Sequence, residues 1–195
     1  MNRFASLTVA AASLLATTGL AQAALWQDPF QTDTRQPFAQ EQDTTAQVAP
    51  IPREIVEYDG QHAPGTVVVS TSERRLYYVL GNGQAVRYGI GVGRPGFTWA
   101  GTKTVTMKRE WPAWTPPAEM LKRRPDLPRH MAGGIENPLG ARALYLGGSL
   151  YRIHGSNEPD SIGQAVSSGC IRMLNEDVVD LYRRVSVGTK VVVLR

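Results

Sequence analysis

The chain has 195 residues, a formal net charge of +4 and one cysteine. A single cysteine excludes an internal disulfide framework. The length allows one domain with one hydrophobic core beside any terminal segments.

The first 23 residues have the features of a secretory signal peptide. Arg3 provides a positive start, residues 7–20 form an apolar run, and Ala21-Gln22-Ala23 fits the small-x-small cleavage pattern. A membrane anchor is the alternative, but the run is short for a span and contains Ser and Thr. We therefore expect cleavage after about Ala23 and export to the periplasm. Lipid attachment at the cleavage site is excluded because the residue directly after it is not a cysteine.

Residues 24–63 predict a disordered, acidic extension. They are rich in Gln, Thr, Asp and Pro and show no sustained period of 2 or 3.6 residues. From Trp26 to Ala63 the net charge is −5, whereas from Ala63 onward it is +8. A basic exported domain suits an anionic partner such as a cell-wall polymer, although the charge can equally serve solubility alone. Nucleic acid is not expected as a partner outside the cytoplasm.

Residues 64–195 are the predicted folded domain, and their pattern is mainly β. One helix is predicted from Asn175, which can cap it, because apolar residues recur at helical spacing after it. We expect a β sandwich or a partly closed barrel, with the helix bracing the loop that precedes it. The predicted strands are Thr66–Ser70, Leu76–Leu80, Ala85–Val92, Lys103–Arg109, Ala143–Leu146, Leu150–His154 and Lys190–Leu194.

Between Glu110 and Pro138 the apolar residues no longer recur at the spacing of a strand or a helix. The prolines of residues 111–117 remove backbone donors, so this stretch cannot be a regular strand or helix. Trp111 and Trp114 on a proline-stiffened loop favour a lid or substrate wall over the site. The alternative is a loop that packs its own tryptophans onto the sheet.

His154 and Cys170 are the candidate chemical pair. An imidazole can convert a thiol to a reactive thiolate, and fifteen intervening residues allow the chain to reverse and join the two groups. Gly169 permits a tight turn that aims N–H groups at an oxyanion, and Ser168 leaves room for a substrate. A buried structural cysteine is the alternative. Zinc is not expected, because His62, His130, His154 and Cys170 lack ligand-like spacing.

These motifs resemble the L,D-transpeptidase family with the YkuD-type catalytic domain, in its exported bacterial branch. The resemblance is carried by residues 154–157 and 167–172, and by similar stretches at 89–96, 111–120 and 137–144. It extends over roughly residues 66–195. It implies a mostly β, sandwich-like fold with the site under a capping loop, and chemistry that needs no cofactor or metal.

The resemblance also implies roles for individual residues. Cys170 would be the nucleophile and His154 its base, with the Gly155 carbonyl orienting the imidazole. N–H groups near Gly169 and Cys170 would hold the oxyanion, and Arg172 would orient groups or bind a carboxylate. Some relatives have a second histidine where this chain has Ser168.

The implied reaction is acyl transfer on peptidoglycan stem peptides. The cysteine would cleave the meso-diaminopimelate–D-Ala bond of a tetrapeptide and pass the acyl group to an amine. That amine would belong to a second stem, a D-amino acid, or a periplasmic or outer-membrane protein. Carbapenems are expected inhibitors. A hydrolase acting at the same site, as an L,D-carboxypeptidase or endopeptidase, and a non-catalytic wall-binding module remain alternatives.

Overall fold

The computed structural model describes residues 51–195, so the predicted signal peptide and most of the predicted extension lie outside the described residues. No helix in this part of the chain is long and apolar enough to cross a membrane. The strands are β1 Glu54–Glu57, β2 Val67–Ser70, β3 Arg75–Gly81, β4 Gln84–Gly89, β5 Val92–Gly93, β6 Gly101–Glu110, β7 Arg142–Leu146, β8 Arg152–His154, β9 Ala165–Ser167, β10 Ile171–Arg172 and β11 Lys190–Leu194. The helices are α1 Ala118–Arg123, a 3₁₀ turn at Pro159–Ser161, and α2 Asn175–Arg184.

Nine strands form one sheet in the order β1-β4-β3-β2-β11-β6-β7-β8-β10, and β5 pairs with β9 beside it. Most neighbours are antiparallel, but β11 runs parallel to β2 and β10 runs parallel to β8. The predicted mainly β class is confirmed. Neither sheet closes on itself, which favours the open arrangement over a barrel.

The core lies between the central strands and α2. β2 is buried along its whole length, whereas β11 buries Val191 and Val193 on alternate positions, as a half-exposed strand does. Val178 and Leu181 of α2, and Val185 directly after it, are at most 1% exposed and belong to the same apolar cluster. The helix therefore braces β7 and β8, where the candidate site begins.

The sequence predicts a disordered extension that reaches residue 63, but ordered structure begins before that residue. Residues 54–57 form strand β1, which pairs with β4 from Glu54↔Arg87 to Glu57↔Gln84. Ion pairs between Glu54 and Arg87, and between Arg53 and Asp177, fasten this segment to the domain. A four-residue strand has little intrinsic stability, so this order comes from its tertiary partners.

Asn175 does not cap α2 as predicted. Leu174 holds the N-cap position, and no side chain makes a cap hydrogen bond there. The Asn175 side chain instead accepts a hydrogen bond from the Ala141 N–H at 2.8 Å and donates one to the Ser156 carbonyl at 3.0 Å. It thereby joins the loops that follow the histidine and precede β7.

Candidate active site

Two adjacent parallel strands position the predicted pair, with His154 on β8 and Cys170 immediately before β10. In the register of β8 and β10, Arg172 lies opposite His154 and Ile171 lies opposite Ile153. Both isoleucines are in the core. Because side chains alternate along a strand, His154 and Arg172 face away from that core, and Cys170, two residues before Arg172, is on their side. The guanidinium groups of Arg152 and Arg172 act electrostatically on both Cys170 and His154.

His154 is held in one tautomer. Its side chain is 4% exposed, and Nδ1 lies 2.5 Å from the carbonyl oxygen of Gly155. A carbonyl only accepts, so Nδ1–H is the donor and Nε2 is left with a free lone pair. Burial lowers the pKa of His154 to about 4, and the positive charges of Arg172 and Arg152 act in the same direction. The imidazole is therefore neutral at pH 7.

The Cys170 thiol is half-buried beside the backbone of the β7–β8 connection. Its Sγ donates a weak hydrogen bond to the Leu150 carbonyl at 3.7 Å. Burial raises the pKa of the Cys170 thiol, although Arg152 and Arg172 oppose this effect. The resting pair is thus a neutral thiol and a neutral imidazole, since desolvation disfavours both charged forms. The reactive thiolate is the form that the base would generate, and it stays a prediction.

Gly169 makes the predicted turn but uses its own N–H group differently. Its φ of +105° lies in the region that only glycine adopts easily. The Gly169 N–H donates to the Ser167 hydroxyl at 3.1 Å, so it is not free to hold an oxyanion. In the described part of the chain the Cys170 N–H donates to no protein acceptor. Of the two predicted oxyanion donors, only the Cys170 N–H is available. Ser168, between Ser167 and Gly169, is half-buried.

Arg172 already has a carboxylate partner within the chain. Its Nη1 lies 2.6 Å from Oε2 of Glu158, and its side chain is 19% exposed. Its backbone exchanges two hydrogen bonds with Gly91, at 2.9 Å each. Arg172 therefore anchors the 3₁₀ segment near the site, and a substrate carboxylate would have to share or displace Glu158.

Trp111 and Trp114 lie in the segment between β6 and α1. Trp111 is 46% exposed, and its backbone N–H donates to the Ala141 carbonyl at 2.8 Å. Trp114 exchanges two backbone hydrogen bonds with Met131, which closes the loop around α1. These contacts hold the backbone of the segment, and the role of both indoles as a lid stays a prediction.

Helix α1, which follows the segment with Trp111 and Trp114, lies next to the loop that contains Phe97. The Arg123 guanidinium lies 5.6 Å from the centre of the Phe97 ring. A Cβ added at Gly169 would lie 3.1 Å from the Phe97 carbonyl oxygen. Helix α1 thus contacts the loop with Phe97, and this loop packs against the turn at Gly169.

Several residues around the nucleophile were missed from the sequence. The Trp99 indole N–H donates to the Gly169 carbonyl at 2.9 Å, and the Trp99 ring stacks on Tyr151 with centroids 4.6 Å apart. The Ser167 hydroxyl also donates to the Cys170 carbonyl, and Arg152 opposes the rise in the pKa of the Cys170 thiol. The sequence indicates Ser167 only as a small residue near Cys170, and Arg152 lies two residues before His154 in the sequence, but nothing local marks Trp99. Within residues 51–195 no three His, Cys, Asp or Glu side chains converge as metal ligands would.

Comparison with known proteins agrees on one family. Residues 64–193 match YkuD, the L,D-transpeptidase catalytic domain. The probable L,D-transpeptidase ErfK/SrfK of Escherichia coli (strain K12) is 40% identical over 137 residues, which are 66% of this chain and 43% of that protein. The chain spans less than half the length of the first curated relatives it matches.

Solved structures share the fold. A Brucella melitensis structure titled a probable carnitine operon oxidoreductase is 46% identical, with a TM-score of 0.51, and covers 75% of this chain and 96% of its own. The oxidoreductase function named for that structure differs from that of the matches named as L,D-transpeptidases. L,D-transpeptidase 3 from Mycobacterium tuberculosis, solved with a faropenem-derived adduct, is 20% identical, with a TM-score of 0.53 over 67% of this chain and 60% of that one. Because the family match covers two thirds of the chain and includes His154 and Cys170, the chain belongs to the YkuD family of L,D-transpeptidase catalytic domains.

Proposed function

We propose that this chain is an exported L,D-transpeptidase that transfers peptidoglycan stem peptides through a thioester on Cys170. The observation that carries the proposal is the fixed orientation of the His154 imidazole. Its Nδ1 is hydrogen-bonded to the Gly155 carbonyl, and His154 lies on β8, which pairs with the strand that follows Cys170. A base in one tautomer beside a thiol is the arrangement that nucleophilic catalysis needs. The acid–base roles of both residues are part of the proposal.

The first half-reaction forms the thioester. As Sγ of Cys170 attacks the diaminopimelate carbonyl, Nε2 of His154 takes the thiol proton, and the carbonyl oxygen becomes an oxyanion at the Cys170 N–H. Collapse of this intermediate breaks the bond to D-Ala. The departing amine takes the proton from His154, which returns to its neutral form.

The second half-reaction transfers the acyl group to an amine. The acceptor nitrogen attacks the thioester while His154 takes one of its protons, and the proton then returns to the departing Cys170 sulfur. An open cavity of about 480 Å³, whose lining includes Glu136, Ser156 and Glu176, lies next to the segment that follows His154. Acidic residues there would attract an amine-bearing acceptor and so support transfer over hydrolysis.

Muropeptide assays test the proposal. Incubating the mature protein with disaccharide-tetrapeptide should give dimers joined through two third-position residues, or exchange of the terminal D-Ala for an added D-amino acid. Tripeptide alone, even with abundant acceptor, would support the hydrolase instead. Cys170→Ala should abolish both outcomes while the thermal unfolding midpoint stays close to that of the wild type. Full turnover by this variant would refute the assignment of the nucleophile.

A non-catalytic wall-binding module is the remaining alternative. It predicts that wild type and Cys170→Ala sediment equally with purified sacculi and that neither changes the muropeptide profile. The adduct carried by L,D-transpeptidase 3 from M. tuberculosis motivates a covalent test on this chain. A carbapenem should add one drug mass to the wild type and none to Cys170→Ala.

A further inference from the structure

The peptide unit between Gly169 and Cys170 is held from outside the catalytic segment. The indole Nε1–H of Trp99 donates a hydrogen bond of 2.9 Å to the Gly169 carbonyl oxygen, seventy residues away along the chain. This peptide is trans, as are the others of the described residues. In a trans peptide the C=O and the N–H point in opposite directions. Fixing the Gly169 carbonyl therefore fixes the direction of the Cys170 N–H.

We infer that Trp99 is a positioning residue for acyl transfer, whose indole N–H orients the Gly169–Cys170 peptide so that the Cys170 N–H meets the oxyanion of the tetrahedral intermediate. The inference rests on the proposed function. It assigns to Trp99 no contact with the substrate. The indole acts on the opposite end of the peptide group that carries the oxyanion donor.

Trp99 is itself held in one orientation. Its ring stacks on Tyr151 with centroids 4.6 Å apart and planes 10° from parallel. Tyr151 also closes the space beside the turn, because a Cβ at Gly169 would lie 2.7 Å from its ring. The indole, the tyrosine ring and the glycine thus fit together, so the hydrogen bond is made without loss of rotamer freedom on substrate binding.

A second clamp holds the other side of the turn. The Ser167 hydroxyl accepts the Gly169 N–H at 3.1 Å and donates to the Cys170 carbonyl at 2.6 Å. The Gly169 N–H and the Cys170 carbonyl are therefore occupied within the protein. Among the described residues the Cys170 N–H has no protein acceptor, and a donor held before the reaction needs no reorganisation when charge develops.

Trp99→Phe tests the role because it keeps an aromatic ring against Tyr151 and removes the N–H. Two reactions of the same thiol separate orientation from packing. Acylation by imipenem passes through an oxyanion, since Sγ adds to the lactam carbonyl and the ring C–N bond opens. Alkylation by iodoacetamide displaces iodide from carbon and forms no oxyanion. Both rates are measured by mass spectrometry on full-length mature protein at pH 7.5.

The expected result is roughly a tenfold fall in the imipenem acylation rate with an unchanged iodoacetamide rate, smaller than the 10²–10³-fold loss that follows removal of an oxyanion donor itself. Lys103→Met is the matched control. Lys103 Nζ lies 5.6 Å from the Trp99 ring and 5.9 Å from the Tyr151 ring but does not bond Gly169, so both rates should match the wild type.

Other outcomes overturn the inference in distinguishable ways. Equal falls in both rates for Trp99→Phe would mean that Trp99 only supports the thiol's surroundings. Unchanged acylation would mean that the peptide keeps its orientation without the indole. If the wild type itself is alkylated but not acylated, the proposed function fails first. Thermal unfolding of each variant shows whether a general loss of folding has entered the comparison.

Discussion

The acid limb of the pH–rate profile tests whether the resting site is a neutral pair. Burial lowers the pKa of His154 to about 4, and Nδ1 is committed to the Gly155 carbonyl. With that pKa about nine-tenths of the imidazole is neutral at pH 5, whereas about 3% would be neutral at the ordinary value of 6.5. The base form is needed for attack by Cys170. Acylation at pH 5 should therefore stay near its plateau, about thirtyfold above the rate for an ordinary histidine.

The measurement is the second-order rate of imipenem acylation from pH 4 to pH 8, by quenched-flow mass spectrometry. Circular dichroism at each pH checks that the fold is retained. A half-maximal rate near pH 6.5 would refute the lowered pKa of His154. Iodoacetamide gives an independent reading of the thiol, because burial raises the pKa of Cys170 and only the thiolate is alkylated. Rapid alkylation at pH 6 would indicate the thiolate–imidazolium pair instead.

Three further changes probe the surrounding structure. Gly169→Ala places a methyl carbon 2.7 Å from the Tyr151 ring at φ +105°, so urea unfolding should show a loss of about 1–3 kcal/mol, and an unchanged midpoint would contradict the tight turn. Trp114→Ala should raise the ratio of tripeptide to transfer product in the muropeptide assay if the segment excludes water, and an equal ratio would assign Trp114 to packing alone. Arg53→Ala leaves the buried carboxylate of Asp177 without the cation 3.4 Å away, so stability at pH 8 should fall by about 1–3 kcal/mol. The loss of stability in Arg53→Ala should be smaller at pH 5, because burial raises the pKa of Asp177 to about 6 and its carboxyl is then mostly neutral with or without Arg53. Equal losses of stability at both pH values would contradict this.

The sequence predicts best what short-range chemistry determines. The valine runs of β2 and β11 are recognisable because β-branched residues fit a pleated, buried surface, and β11 begins and ends where predicted. The separation of His154 and Cys170 along the chain predicts a simple reversal, whereas the chain returns by a crossover that makes β8 and β10 parallel. The family match confirms the resemblance on which the roles were assigned.

The sequence predicts poorly what depends on distant partners. Strand β1 has only four residues in a largely polar stretch, and it forms because β4 offers it an edge and Arg87 pairs with Glu54. Asn175 has the composition of a cap, but two backbone groups of other loops compete successfully for its side chain. The protonation of the catalytic pair depends on burial, which no local pattern reveals.

A neutral pair also fits the compartment that we propose. A lone thiolate held permanently in an oxidising space would be exposed to oxidation, because the thiolate is the form that oxidants attack. Burial keeps Cys170 protonated at rest, while the neutral His154 beside it is ready to take the proton. In the proposed mechanism, charge develops only when a carbonyl is in place, where the Cys170 N–H would stabilise the oxyanion. The desolvation that disfavours both ions would then make reactivity depend on the bound substrate.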